Sequence, residues 1–340
     1  MEYAGHRVSN DGTAPAFIIT IDTEGDNLWS RAGNITTNNA QYLGRFQDLC
    51  EKHGFKPTYL TNYEMAVDPT FVRFARAAEE RSMAEVGMHL HAWDSPPIDR
   101  PLTFNDTKCH PYLMEYPFAQ IKRKVGLITN LLEDTFGHRV TSHRAGRWGF
   151  DCVYARILSE FGYLVDCSVT PYVSWASHMG DPSRSGGTDF RFFPDRAYLM
   201  DLDYVGRPGS GPLVEVPVTI IPRLPISHRV VPRFVLRSRI GQSLAQRLLP
   251  NDWLRPFPGN LETMRRVVRA CIDERRPYAM FMTHSSELMP GGSPYFPTPE
   301  HIEVLYQSLD ALFSEASRHF RGMTLSEYAR GLVNSGQHPR

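Results

Sequence analysis

A parallel α/β barrel is the architecture this chain predicts, on three observations. Short β-branched or apolar runs alternate with amphipathic stretches at helical spacing along most of the 340 residues, the rhythm of crossovers in a parallel sheet. About seven such units recur, which suits one closed barrel better than two separate domains. Several strands end in Asp, Glu, His or Arg, and parallel α/β folds build their sites at the carboxyl ends of strands.

The first strand, Phe17-Ile18-Ile19-Thr20-Ile21, runs into Asp22-Thr23-Glu24-Gly25-Asp26. Asp22 and Glu24 are two apart, so an extended backbone turns both to one face. Two carboxylates in one cavity hold a metal or divide a proton; a solvated acidic turn is the plain alternative. Residues 36–53 read as a helix, with Tyr42, Leu43, Phe46, Leu49 and Cys50 at helical spacing and Gly54 as the stop. The second strand is 56–61, and 68–81 is a helix with Pro69 in its first turn. The third strand, 84–91, ends in His89 and His91.

Five prolines make 96–117 a loop, and 118–136 a helix. The fourth strand, 140–143, leads into Arg144-Ala145-Gly146-Arg147-Trp148-Gly149. After a helix at 152–161, the fifth strand, 163–167, carries Asp166. Gly, Pro, Ser and Asp mark 174–211 as a long loop, and 213–219 is the sixth strand. Residues 223–255 interrupt the rhythm with seven arginines against one acid, Asp252, and a weakly amphipathic stretch at 234–249. Two readings stand for this insertion: a helix with its basic face in water, or a surface that meets a phosphate- or lipid-bearing substrate. A helix at 261–276, a seventh strand at 278–284 ending in His284, a helix at 299–320 and a short one from Ser326 complete the chain. Residues 1–15 are expected to be a flexible tail, and 16–335 one barrel domain.

Composition narrows the function. Thirty-seven basic residues balance 37 acidic ones, so the net charge is zero and no global attraction to nucleic acid exists. Five scattered cysteines, none in a CxxC spacing, argue against a disulfide framework or a cysteine-held zinc, and fit a reducing compartment. The first 15 residues lack an apolar core for a signal peptide, and no run approaches the ~18–20 residues of a membrane span. A cytoplasmic protein is the expectation.

The strand ends form one set: Asp22 and Glu24, His89 and His91, Arg144 and Trp148, Asp166, and His284. One acid with two histidines is a set that zinc and other divalent metals accept, leaving positions for water and substrate.

The order of Thr20-Ile21-Asp22-Thr23-Glu24, Glu85-Val86-Gly87-Met88-His89, an arginine before an aromatic and a glycine, Leu213-Val214-Glu215-Val216-Pro217, and Thr283-His284 resembles the polysaccharide deacetylases. These are carbohydrate esterase family 4, with homology to nodulation-protein deacetylases. The resemblance spans about Phe17 to Arg330 and is nearest to divergent, signal-less members found with surface-polysaccharide genes. It implies an irregular (β/α)7 barrel that removes acetyl groups from sugars with a divalent metal. It further implies Asp22 as general base, Glu24 and His89 as metal ligands, Arg144 as the residue orienting the base, Trp148 as a wall of the acetyl pocket, and His284 as general acid.

Two departures stand out. The family's first motif has adjacent aspartates, whereas Thr23 separates Asp22 from Glu24; its second motif is His-x-x-x-His, whereas Trp93 lies four residues after His89. His91 shares a face with His89 if the strand continues, and is the expected replacement ligand. Zinc is the first expectation, with cobalt, nickel or iron(II) suited to the same set. Trp93, Trp148, Asp166 and Glu287 are expected on the substrate side, and Trp29 and Trp175 near the rim. Asp166 reads equally as a residue that orients a neighbour, or as a turn residue.

The expected substrate is an N-acetylated sugar, nucleotide- or lipid-linked, in O-antigen or exopolysaccharide synthesis. No nucleic acid and no transmembrane segment are expected, and residues 223–255 offer the place for peripheral membrane contact. A metal-independent hydrolase of another amide C–N bond and a non-catalytic glycan- or partner-binding barrel are the alternatives.

Overall fold

The computed structural model describes residues 14–28, 34–98, 101–103, 105–178, 180–181, 186–224 and 230–335. Nearly all of the expected tail, Trp29 and residues 225–229 of the basic segment lie outside them. The apolar run at the start becomes β1, Ala16–Thr23, and every one of its residues is buried. Burial on both faces is what a continuous Phe-Ile-Ile-Thr-Ile run suits in a parallel sheet. The remaining strands are β2 (Pro57–Thr61), β3 (Glu85–Leu90), β4 (Ser142–Ala145), β5 (Val165–Asp166), β6 (Tyr198–Leu199), β7 (Val214–Glu215), β8 (Ile220–Pro222), β9 (Asn251–Trp253), β10 (Tyr278–His284) and β11 (Arg321–Met323).

The sheet runs β10-β1-β2-β3-β4-β5-β7-β6, with β11 added alongside β1. Its neighbours from β10 to β7 are all parallel, and β6 alone is antiparallel. This is the curled (β/α) sheet expected, but no strand ladder joins β7 to β10. Irregular bonds bridge that seam: Tyr278 Oη donates to Pro217 O at 2.7 Å, Met280 N to Thr219 Oγ1 at 2.8 Å, and Met282 N to Leu254 O at 3.1 Å. The barrel is irregular for this reason.

The helices follow their local signals. Asp68 caps the helix Pro69–Glu80 by accepting from the amides of Thr70 and Phe71, as a short acidic side chain at an N-cap does. Gly137, at φ 75°, ends the helix Phe118–Phe136 in the left-handed conformation. The helix Pro299–Ala316 buries Phe313 against the sheet, edge to face with Phe17, Phe55 and Phe281 at 5.9, 5.6 and 5.4 Å; each such pair contributes ~0.5–1.5 kcal/mol beyond its buried area.

Several expectations need correcting, the fifth strand among them: of 163–167 only Val165–Asp166 is laddered. β4 begins two residues later than expected, at Ser142. Of the expected strand 213–219 only Val214–Glu215 is laddered, although the amides of Val216 and Val218 still bond to Asp166 O and Val169 O at 2.9 and 3.0 Å. The long loop contains β6, and the basic insertion springs from an antiparallel pair, β8 with β9. Between them lie the helices Arg233–Leu236 and Arg239–Leu248. All five cysteines are free, and among the described residues no helix is long and apolar enough to cross a membrane.

Candidate active site

Strand register assembles the site. Asp22 lies beside His284 across β1 and β10, and His89 beside Arg144 across β3 and β4. Thr20 and Asp22 share a face of β1, and the fully buried Arg144 guanidinium spans them. Nη1 donates to Asp22 Oδ1 at 2.6 Å, Nη2 to Thr20 Oγ1 at 2.8 Å, and Nε to Cys167 O at 3.2 Å. Burial alone would raise the Asp22 pKa, but Arg144, His89 and His284 outweigh it and hold the carboxyl well below the ordinary range. Asp22 is therefore ionised at neutral pH.

Glu24, His89 and His91 converge in a second group, all buried. Glu24 Oε2 lies 3.5 Å from His89 Nε2 and 3.2 Å from His91 Nε2, and the two imidazole nitrogens are 3.0 Å apart. His89 Nδ1 donates to Arg144 O at 2.9 Å, which leaves Nε2 of the neutral ring as a lone pair. Lone pairs and a carboxylate crowded this closely repel one another unless a proton or cation lies among them. The trio fits a divalent metal on its donor chemistry, and the acid–imidazole–imidazole set is one zinc accepts. Burial opposes ionisation of Glu24, yet the three histidines facing it lower its pKa overall.

The surroundings of His91 were not legible from the motif. Its Nδ1 is buried and unbonded, 3.7 Å from Asp94 Oδ2, itself without a hydrogen bond. Glu64 lies close enough to raise its own pKa by burial and by the Asp94 charge, and it accepts from Gly25 N at 2.7 Å. Gly146 packs against the same imidazole: a Cβ there would lie 2.2 Å from His91 Cδ2 and 2.4 Å from Leu90 O. Only glycine permits that approach. The next two residues, Arg147 and Trp148, have φ of 54° and 60°, left-handed values that cost non-glycine residues ~1–3 kcal/mol each and cluster at functional sites.

His284 Nε2 faces Asp22 Oδ2 at 3.7 Å and Glu24 Oε1 at 4.0 Å. Behind it, Arg255 Nη2 lies 3.1 Å from Nδ1 and donates to Glu287 Oε1 at 2.6 Å. Arginine has only donors, so a neutral ring accepts at Nδ1 and carries its proton on Nε2, toward the site. An imidazolium instead finds Glu287 Oε2 at 3.5 Å. Burial and Arg255 lower the His284 pKa, while Glu287 and Glu24 raise it, and the net direction is upward.

The rim is aromatic. Trp148 stacks with Trp175 at 6.3 Å and 11°, Trp253 meets both edge-on at 6.3 and 6.5 Å, and the Arg144 guanidinium lies 5.1 Å from the Trp148 ring centre. Trp93 is half-buried and stacks on His91 at 4.6 Å and 22°.

Two expected substrate contacts are corrected, because both side chains are fully buried. Asp166 bonds His143 Nδ1 at 2.5 Å and Ser168 Oγ at 2.8 Å, behind Arg144, and neighbours Glu215, whose pKa is raised by burial and by Asp166. Glu287 caps the turn at its own start, accepting from His284 N at 2.9 Å and Thr283 Oγ1 at 2.7 Å. It faces His284 and Arg255, leaving no surface for a sugar. Arg255, Asp94, Glu64 and Trp253 are site residues that sequence reasoning missed. Trp253 and Arg255 arrive from the end of the inserted segment and Glu64 from the short helix Tyr63–Ala66, although an acid three residues after a histidine, His91 and Asp94, was a readable signal.

Fold and site define an irregular (β/α) barrel whose strand ends hold an acid–His–His group beside an Arg-paired aspartate and a histidine. No protein-family model matches the chain, and no curated protein matches it in sequence. Solved structures do match in fold. A Mycobacterium smegmatis protein described as a polysaccharide deacetylase aligns over 99% of this chain and 97% of its own, at TM-score 0.54 and 14% identity. A Parabacteroides distasonis protein described as a glycoside hydrolase/deacetylase covers 96% of this chain and 73% of its own, at TM-score 0.60 and 8% identity. A 4-alpha-glucanotransferase from Thermococcus litoralis covers 96% of this chain but 41% of its own, at TM-score 0.52 and 13% identity. The expected polysaccharide-deacetylase fold is thus found.

Proposed function

We propose that this chain is a divalent-metal-dependent hydrolase that removes the acetyl group from an N-acetylated sugar. The carrying observation is the convergence of Glu24, His89 and His91 beside Asp22 and His284. Glu24 Oε2, His89 Nε2 and His91 Nε2 would hold the metal, zinc first among those the set suits. When bound, such an ion supplies Lewis acidity toward a carbonyl oxygen and acidifies water.

The chain's own residues supply the proton handling. Arg144 holds Asp22 by Oδ1, leaving Oδ2 to accept the proton of the attacking water. His284 acts as an imidazolium, its Nδ1–H facing Glu287 Oε2 at 3.5 Å, and donates Nε2–H to the departing sugar nitrogen, which leaves the ring neutral. Trp148 walls the acetyl side, and Trp175 and Trp253 extend an apolar surface on which a sugar ring can stack. A nucleotide- or lipid-linked precursor of O-antigen or exopolysaccharide, met in the cytoplasm, is the substrate class we assign.

Elemental analysis of wild type, His89→Ala and His91→Ala, followed by acetate release from N-acetylated nucleotide and lipid-linked sugars, tests this reading. Near-stoichiometric metal lost in both variants, with acetate released by wild type only, is expected. Asp22→Asn should keep its metal and lose ~10²–10⁴-fold in rate. Absence of metal after reconstitution would sink the mechanism and leave the metal-free amide hydrolase or the binding barrel.

A further inference from the structure

The insertion between β8 and β9 carries a helix, Arg239–Leu248, that is amphipathic the wrong way round. Its inner face holds Gln242 and Ala245, both buried, and Gln242 Nε2 donates to Ser174 O at 2.9 Å. Its outer face presents Ile240, Leu244 and Leu248, one helical turn apart, at 84%, 54% and 61% exposure. Phe234, on the preceding short helix, is 75% exposed. A surface helix in water buries its apolar stripe and exposes its polar one. This helix does the reverse, so its outer face is built for an apolar medium. Arg239 and Arg247 on the same helix, and Arg237 just before it, are exposed.

We infer that this face docks the protein on an anionic lipid surface, with Ile240, Leu244, Leu248 and Phe234 entering the headgroup–acyl boundary and the three arginines meeting lipid phosphates. Charge selects this occupant over a second copy of the chain. A two-fold contact through this face would set arginine against arginine, and the one acid of residues 223–255, Asp252, is already engaged by Arg223 at 2.6 Å and Arg266 at 2.6 Å. An anionic bilayer satisfies both the apolar stripe and its basic border. At ten residues the helix can lie in the interface but not span it.

The placement also serves a route to the site. Gln242 and Gln246, with Leu236, line a cleft whose other walls are Trp175 and Trp253. Those tryptophans lead through Trp148 to Arg144. Docking here brings the lipid surface to the helix that borders this cleft.

Flotation of the full chain with vesicles of phosphatidylcholine, alone or mixed with phosphatidylglycerol, tests the proposal independently of any hydrolase activity. Binding is expected only to the mixed vesicles and is expected to weaken as salt rises. Replacing Arg237, Arg239 and Arg247 by Gln should weaken it about fivefold per arginine. The triple variant Ile240→Ser/Leu244→Ser/Leu248→Ser should lose about a hundredfold or more, with unchanged circular dichroism and melting. Failure to float with mixed vesicles, equal binding to both kinds, or undiminished binding by the serine variant would each overturn the proposal. So would sedimentation showing a dimer that the serine substitutions dissolve, which would make the occupant a second copy.

Discussion

Arg144→Met is the substitution that probes the centre of the site most directly. The guanidinium is fully buried and donates to three oxygen acceptors at 2.6, 2.8 and 3.2 Å, one of them the Asp22 carboxylate. Removing it leaves Asp22 charged in a dry pocket, which costs ~3–5 kcal/mol for a buried pair broken on one side. With an unfolding entropy of ~2.1 cal/mol/K per residue over 340 residues, that is a fall in Tm of about 4–7 °C. Melting is followed by circular dichroism on protein stripped with chelator, so that no metal contributes. Asp22→Asn should cost about as much, because it strands Arg144 instead. The double variant should lose ~2 kcal/mol less stability than the sum of the two single variants. Arg144→Lys should fall between, since one ammonium cannot reach three acceptors in a fork. A loss under ~1 kcal/mol for Arg144→Met, or strict additivity with Asp22→Asn, would refute the pairing as the element that holds the site.

Asp94→Asn should lower metal affinity ~10–100-fold without altering the fold, through loss of the partner facing His91 Nδ1 at 3.7 Å. Titration against a chelating dye measures it, and an unchanged affinity would remove Asp94 from the site. His138 provides a pH test far from the chemistry: its bond to Glu79 at 3.1 Å pushes its pKa up to about 9. A raised folded pKa means the contribution is full below the unfolded value of ~6.5 and is lost as pH rises through about 9. The side chain is 45% exposed, so solvent screening keeps the effect below ~1 kcal/mol. The gap in urea midpoint between wild type and His138→Gln should therefore be present at about pH 6 and vanish at about pH 10; an equal gap at both would show the ion pair contributes nothing.

Long, self-consistent signals were readable and short, tertiary ones were not. β10, Tyr278–His284, and the helix Phe118–Phe136 have the bounds their residue patterns predict. β1 and β3 end where acids and histidines replace apolar residues, so parallel register predicts Asp22 and His89 at one rim, with Glu24 and His91 one residue beyond the laddered strands. β6, two residues within a Gly- and Pro-rich stretch, offers no periodicity to detect. Asp166 and Glu287 misled because a strand-end acid resembles a ligand-facing acid in sequence. Only the fold shows Asp166 held by His143, and Glu287 closing a reciprocal cap with His284. Arg255 reaches His284 from the far side of an insertion, a contact no local pattern encodes.

The seam between β7 and β10 has a consequence for how such a barrel can diversify. A parallel ladder ties each residue to a fixed partner, so adding a residue within it turns every later side chain to the opposite face. Across the seam, Tyr278, Met280 and Met282 are held by single bonds to Pro217, Thr219 and Leu254, and no running register links them. Chain length can change there while Asp22 and His284 stay opposite each other on the intact β1–β10 ladder. It is at this joint that residues 223–250 leave from β8 and return to β9. The gap in the hydrogen-bonded wall thus acts as an expansion port, where a new surface can be grafted beside an old reaction centre without disturbing its alignment.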